Sequence, residues 1–354
     1  MHNLSKSKMI ETFSYSENEL NQLYHQAYET KLKYVGNKVY LRGLIEFSNI
    51  CSKDCFYCGI RKSNKKITRY QMSESEIIQA AEWAYKQGYG SVVLQSGERS
   101  DPEFVSFVTR VLSELKKITK GELGITLSLG EQDKHTYEQW FAAGAHRYLL
   151  RIETTNDKLY KSLHPVDHDY TRRLHCLQDL QDIGYQVGTG VMIGLPGQTE
   201  EDLVNDILFI KEKDIDMIGM GPYILHQDTP LKQRAQDYST DRQLSLTLIM
   251  IALTRLYCKD VNIASTTALQ TLHPQGRELG LQAGANILMP NIGLTKYRNL
   301  YTLYDNKPCR EDTAEICKVC FENRIESINE KIGYHEWGDS PHFERRIDGE
   351  TTTR

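Results

Sequence analysis

The chain has 354 residues, 40% hydrophobic and 25% charged, enough to bury a sizeable core in one or two domains without disulfide staples. Its 43 Lys and Arg against 47 Asp and Glu leave a net charge of −4, which argues against nucleic acid as a main partner. No apolar run approaches the ~20 residues of a membrane span, and the opening MHNLSKSKMIETFSYSE lacks the apolar core of a secretory signal; no membrane partner and a cytoplasmic location are expected.

In chain order, Ser16 and Glu19 cap an amphipathic helix running through Lys33, expected to pack on the bottom or side of the larger domain; residues 1–36 form this leading segment. Eight segments of strand character then alternate with helical patterns: Val39–Phe47, Ser91–Gln95, Gly124–Leu129, Arg147–Arg151, Val187–Ile193, Met217–Gly221, Asn262–Ser265 and Ala285–Met289. Their near-continuous apolar runs suit strands buried on both faces, as in a parallel sheet. The intervening helices carry clear start signals. Ser73 with Glu76 reads as a capping box, Asp101 precedes Pro102, and Thr199 opens an acidic first turn. KQGYG, AAGAH, DIGYQ and QAGAN supply glycine at helix-to-strand turns.

An open doubly wound sheet and a closed (β/α)8 barrel both fit this alternation. The span from residue 39 to 289 is close to the ~250 residues of a closed barrel, and no glycine-rich phosphate turn follows the first strand. The α/β reading is therefore a (β/α)8 TIM barrel over residues 37–290, with a carboxyl-terminal extension over 291–354.

Eight cysteines in a reducing compartment point to metal ligation or catalysis rather than disulfides. Cys176 and Cys258 stand alone among apolar neighbours and read as small buried hydrophobes. The other six form two groups: Cys51, Cys55 and Cys58, and Cys309, Cys317 and Cys320. The first group, C-x3-C-x2-C, directly follows the first strand, where a barrel keeps its chemistry. Structural zinc sites close with four ligands, and no further His or Cys follows at the usual spacing. A cubane held by three thiolates keeps one iron open. Of the histidines, His164, His226 and His273 adjoin prolines in loops, and no pair shows metal-ligand spacing; surface or lining roles are expected.

The cysteine motif, with aromatic Tyr57 before its last member, resembles that of the radical S-adenosylmethionine (SAM) superfamily. Gln95-Ser96-Gly97-Glu98 resembles the segment that meets the methionine amino group, and Met192-Ile193-Gly194 the backbone that lies along adenine. The resemblance implies a [4Fe–4S] cluster that binds SAM and, once reduced, cleaves it to methionine and a 5′-deoxyadenosyl radical. IEFSNICSKDCFYCGIR, LQSGE, TLSLGE, YLLRIET, GLPGQT, NIASTTA and GANILMPN together resemble the radical SAM maturases of the [FeFe]-hydrogenase active-site cluster. By that resemblance Ser128, Glu153 and Arg173 contact SAM, with the adjacent Arg172 as the competing position. Thr126, Arg147, Thr266, Thr267, Met289, Tyr301 and Tyr304 line the substrate cavity, the two tyrosines spaced as a helical pair. The second cysteine group resembles a site where a [2Fe–2S] centre can sit, with a structural zinc or an empty remnant as the alternative. The implied substrate is a small organometallic or amino-acid-derived molecule, a cysteine-bound iron carrying carbonyl and cyanide. Other hydrogenase maturases and a reductant such as a flavodoxin or ferredoxin are the implied partners. Methylornithine synthase, biotin synthase, a non-catalytic iron–sulfur carrier or scaffold, and a zinc-dependent barrel hydrolase are the competing readings.

Overall fold

The computed structural model describes residues 4–234 and 239–351. Eight parallel strands form its centre: Lys38–Ser48, Ser91–Ser96, Gly124–Ser128, Arg147–Leu149, Gln186–Thr189, Met217–Ile218, Asn262–Ile263 and Ile287–Leu288. They are buried on both faces, with the successive residues Val92, Val93 and Leu94 all inaccessible, which is why the sequence runs apolar rather than alternating. Neighbours pair in chain order, and the eighth strand returns to the first, matching Tyr40 with Ile287 and Leu41 with Leu288. A parallel bridge between Ala264 and Ile287 closes the remaining seam, with the Ser265 N–H donating to the Ile287 carbonyl at 2.9 Å. The sheet is a closed (β/α)8 barrel.

Six of the eight predicted strands are shorter than expected, and two of them are interrupted. Val187–Ile193 and Met217–Gly221 each break, and Met192–Ile193 pairs instead with Gly221–Pro222 in a separate two-stranded sheet. The cause is a backbone crossing, because a Cβ on Gly190 would lie 2.0 Å from the Gly219 carbonyl oxygen. Only glycine permits that approach.

The helix starts follow the sequence signals. Ser73–Glu76 and Thr199–Asp202 form capping boxes before Glu74–Lys86 and Glu200–Glu212, and Asp101 caps Pro102–Ile118. The Ser16–Glu19 box opens Glu17–Tyr34, which packs against Thr240–Cys258 and Gly276–Gln282 on the side of the barrel. There Lys31 forms a fully buried ion pair with Glu330.

The carboxyl-terminal segment closes the amino-terminal mouth of the barrel. Lys331–Ile332 pairs in parallel with the start of the first strand. The chain then crosses the mouth, where the Gly338 carbonyl accepts from Arg42 Nη2 at 3.1 Å and Asn262 Nδ2 at 2.9 Å. Arg147 belongs to this closure and not to the substrate cavity where sequence reasoning placed it. Its fully buried guanidinium donates to Asp339 Oδ1 at 2.6 Å and to the Trp337 carbonyl at 2.7 Å. It sits at the start of its strand, so its side chain meets the plug rather than the opposite end. Among the described residues no helix is long and apolar enough to cross a membrane.

Candidate active site

The first cysteine group occupies the loop leaving the carboxyl end of the first strand. The Ser52 N–H donates to the Glu98 carbonyl at 2.8 Å, and the Glu98 N–H reaches Cys51 Sγ at 3.3 Å, which ties the loop to the end of the second strand. Gly97 permits this contact, since a Cβ there would lie 2.4 Å from the Ile50 carbonyl oxygen. Arg69, not singled out by sequence, gathers the carbonyls of Asn49 at 2.6 Å, Ile60 at 2.7 Å and Arg61 at 2.6 Å, pinning both ends of the loop.

Burial pushes the thiols of Cys51, Cys55 and Cys58 upward, Cys58 to about 12, and neighbouring thiols of the trio push Cys55 and Cys58 further. Three sulfurs close enough to repel as thiolates, in a half-buried pocket, are poorly placed as free anions and well placed to share one cationic iron–sulfur centre. Cys176 and Cys258 are buried elsewhere, as expected of structural thiols.

Beside the thiols lies a compact charge network. Lys53 Nζ sits 3.3 Å from Glu98 and 3.0 Å from Glu131, while Arg173 Nε is 2.6 Å from the other Glu131 oxygen. Burial would raise the Glu131 carboxyl, but Arg173 and Lys53 outweigh it and hold the group below its ordinary value. Glu98 has the opposite fate, because burial dominates and pushes its carboxyl up. Gly130, with φ +77°, makes room for it, since a Cβ there would lie 2.2 Å from a Glu98 oxygen. Arg173 is buried and Arg172 largely exposed, so Arg173 is the arginine that faces the site.

Glu153 adopts φ +67°, uncommon for a non-glycine residue. Its backbone accepts from Met192 and donates to Gly190, each at 2.9 Å, and Arg151 Nη2 holds its carboxylate at 2.9 Å. The Met192–Gly194 segment is fixed by Gln198, whose amide oxygen accepts from the Gly194 N–H at 2.8 Å. Ser128 ends the third strand in register with Gln95. Gln95 points away from this group and donates to the Tyr301 hydroxyl at 3.2 Å, while the Ser96 hydroxyl is taken up by the Gly97 carbonyl.

Thr126 and Met289 line an interior cavity of the barrel together with Arg42, Leu149, Met217 and Asn262. The Thr126 and Thr266 hydroxyls have no hydrogen-bond partner among the described residues, whereas Thr267 accepts from Arg277 at 3.2 Å. Tyr301 and Tyr304 lie in a loop, not on a helix; the preceding helix ends at Arg298.

The histidines correct the sequence reading. His164 and His168 are buried over the cysteine loop, and with Cys55 they offer ligand atoms within 4.8 Å of one another. Burial holds both imidazoles below their ordinary value, His164 at about 3. Their i, i+4 spacing falls in a turn, so no helical periodicity announces it.

The second cysteine group is divided. Cys309 and Cys317 line a pocket with Arg277, Arg298 and Lys307, where Arg298 Nη1 reaches Cys317 Sγ at 3.6 Å. Cys320 lines a separate open groove and takes a hydrogen bond from Arg324 at 3.3 Å.

Residues 45–210 match the family model of the radical SAM superfamily. The chain is 44% identical over 336 residues to the [FeFe] hydrogenase maturase subunit HydE of Thermotoga maritima, covering 94% of this chain and 93% of that one. It is 30% identical over 275 residues to the 3-methylornithine synthase of Methanosarcina acetivorans, covering 77% and 75%. A crystal structure of methylornithine synthase superposes with a TM-score of 0.79 at 24% identity, over 94% of this chain and 95% of that one, a likeness of fold.

Proposed function

The chain belongs to the radical SAM superfamily and, within it, to the family of the [FeFe] hydrogenase maturase subunit HydE, and on that premise we propose which of its residues perform the chemistry. It is a radical SAM enzyme of [FeFe]-hydrogenase maturation. The observation that carries the site reading is the convergence of three half-buried thiols with the Lys53–Glu98–Glu131–Arg173 network at the carboxyl end of the barrel.

Cys51, Cys55 and Cys58 would hold a [4Fe–4S] cluster, which together with SAM supplies the 5′-deoxyadenosyl radical. The chain's own part is binding, orientation and exclusion of water. Arg173, aimed by Glu131, is suited to fork onto the methionine carboxylate. Glu98, with its carboxyl pushed up, is a ready acceptor for the amino group once that cation arrives beside it. Ser128 and Glu153 would take the ribose hydroxyls, and the backbone of Met192, Ile193 and Gly194 would run along adenine. Tyr57 flanks the cluster, and Gln95 with Ser96 and Gly97 shapes the end of the second strand.

The substrate would enter the barrel interior beside Thr126, Thr266, Thr267, Met289, Tyr301 and Tyr304. The unpartnered Thr126 hydroxyl, in a cavity that also presents Arg42 and Asn262 among apolar side chains, suits the anionic ligands of a cysteine-bound iron carrying carbonyl and cyanide. Cys309 and Cys317, among basic side chains, would hold a second, [2Fe–2S] centre with Cys320 turning inward to join them. The barrel over 37–290 carries the reaction, with Glu17–Tyr34 buttressing its side and the segment from Lys331 to Asp339 shutting its base. A flavodoxin or ferredoxin reductant, the other maturases as partners and a cytoplasmic location complete the reading.

The test is in-vitro maturation of [FeFe]-hydrogenase with and without this protein. Hydrogenase activity that depends on its addition and on SAM is expected; full maturation in its absence would overturn the reading.

A further inference from the structure

We infer that His168 is a positioning residue that donates a hydrogen bond to the Cys55 sulfur and thereby raises the reduction potential of the cluster that Cys55 holds. The inference rests on the reading of Cys51, Cys55 and Cys58 as cluster ligands and goes beyond it to a residue outside the cysteine motif.

The turn at 163–168 cradles the cysteine loop along its length. The Phe56 N–H donates to the Leu163 carbonyl at 2.9 Å, Tyr57 meets His164, and Asp54 and Cys55 meet His168. The tautomers follow from what each partner can do. The Asp54 N–H lies 3.4 Å from His168 Nε2, and a backbone amide can only donate, so Nε2 is the bare acceptor. The exposed Asp167 carboxylate comes no nearer to that nitrogen than 4.0 Å. The imidazole proton therefore sits on Nδ1, the atom 3.8 Å from Cys55 Sγ. The same logic holds for His164. Its Nδ1 faces the Tyr160 carbonyl at 2.8 Å and must donate, leaving Nε2 to accept from the Tyr57 hydroxyl at 3.3 Å. Both nitrogens of His164 are thus engaged, so the trio with Cys55 is not a vacant cation site.

A donor on a ligating sulfur withdraws charge and favours the reduced cluster. That matters where the cluster must pass an electron onward and is hard to reduce. His168→Leu removes the donor, and His168→Gln offers an amide N–H in its place.

The experiment uses the full-length protein, reconstituted anaerobically, with iron and sulfide content, an EPR-followed redox titration, and SAM cleavage under a mild and a strong reductant. The leucine variant is expected to keep its cluster, show a more negative midpoint, and lose about tenfold of its cleavage rate with the mild reductant while titanium(III) restores it. The glutamine variant is expected to return toward wild type. An unchanged midpoint in a fully loaded leucine variant overturns the inference. So does equal loss under both reductants, iron loss in both variants, or bound zinc that disappears with either histidine. A wild-type protein that takes up no cluster would instead sink the underlying ligand reading.

Discussion

Arg147 on the fourth strand and Asp339 in the carboxyl-terminal segment form an ion pair at 2.6 Å across the base of the barrel, with the guanidinium fully buried. His146 packs against Trp337 in the same closure, the rings tilted by 35°, and its ring lies 3.5 Å from the Asp339 carboxylate. Burial alone would raise that carboxyl; His146 and Arg147 outweigh it and hold it well below the usual range. This base seals one mouth of the barrel and leaves the cysteine end as the other.

Removing Asp339 leaves a guanidinium buried without its counterion. Asp339→Ala is expected to cost ~3–5 kcal/mol, read as a lower thermal midpoint, while Asp339→Asn, which keeps an acceptor, costs less. Because the carboxyl is depressed, its contribution is complete above the ordinary carboxylate value near pH 4 and is lost only as pH falls further. The stability gap between wild type and Asp339→Ala should therefore stay flat from about pH 6 upward, ~2 units above that value.

His342, in the last helix Pro341–Thr351, predicts the opposite pH dependence. The Asp260 carboxylate raises its imidazole, burial opposes this, and Asp214 at 2.8 Å adds to the rise; Arg345 and Arg346 also face this cluster. A raised pKa means stabilisation that is full below the ordinary histidine value of ~6.5 and fades as pH rises through the folded value. Hydrogen exchange in the last helix should accelerate across that window, and His342→Gln should remove the dependence.

Glu131 aims Arg173, so its loss should act through SAM affinity rather than through the cluster. Glu131→Gln removes one charge-assisted bond, worth ~1.5–3 kcal/mol, or about 10- to 100-fold in SAM dissociation constant. Equilibrium binding to the reconstituted protein checks this, with unchanged iron content expected.

The two cysteine groups should separate in function. Cys55→Ala is expected to abolish SAM cleavage, whereas Cys317→Ala, in the distinct basic pocket, leaves much of it. Product analysis for 5′-deoxyadenosine and methionine reads both.

Local features were the legible ones in the sequence. The three cysteines of the first group lie within eight residues of chain, and the capping boxes at Ser73 and Thr199 close within one turn. The strand segments followed from apolar runs and glycine turns, but the breaks at Gly190 and Gly219 needed the crossing of two distant backbones. Glu131 closes the TLSLGE segment that carries part of the resemblance, yet no role was read for it there, because its partners Lys53 and Arg173 are 78 and 42 residues away. Arg147 was misplaced because its position on a strand does not say which end its side chain serves. His164 and His168 acquire their role only when their turn docks on the cysteine loop.

The central claim is a three-thiolate cluster with one open iron that chelates SAM. Its most direct test is EPR and ENDOR spectroscopy of the reduced, reconstituted protein with SAM carrying nitrogen-15 at the amino group and oxygen-17 in the carboxylate. Hyperfine coupling of both nuclei to the cluster, followed by formation of 5′-deoxyadenosine, is the predicted result. A fully loaded cluster whose signal ignores SAM, with the cofactor recovered intact, would contradict it.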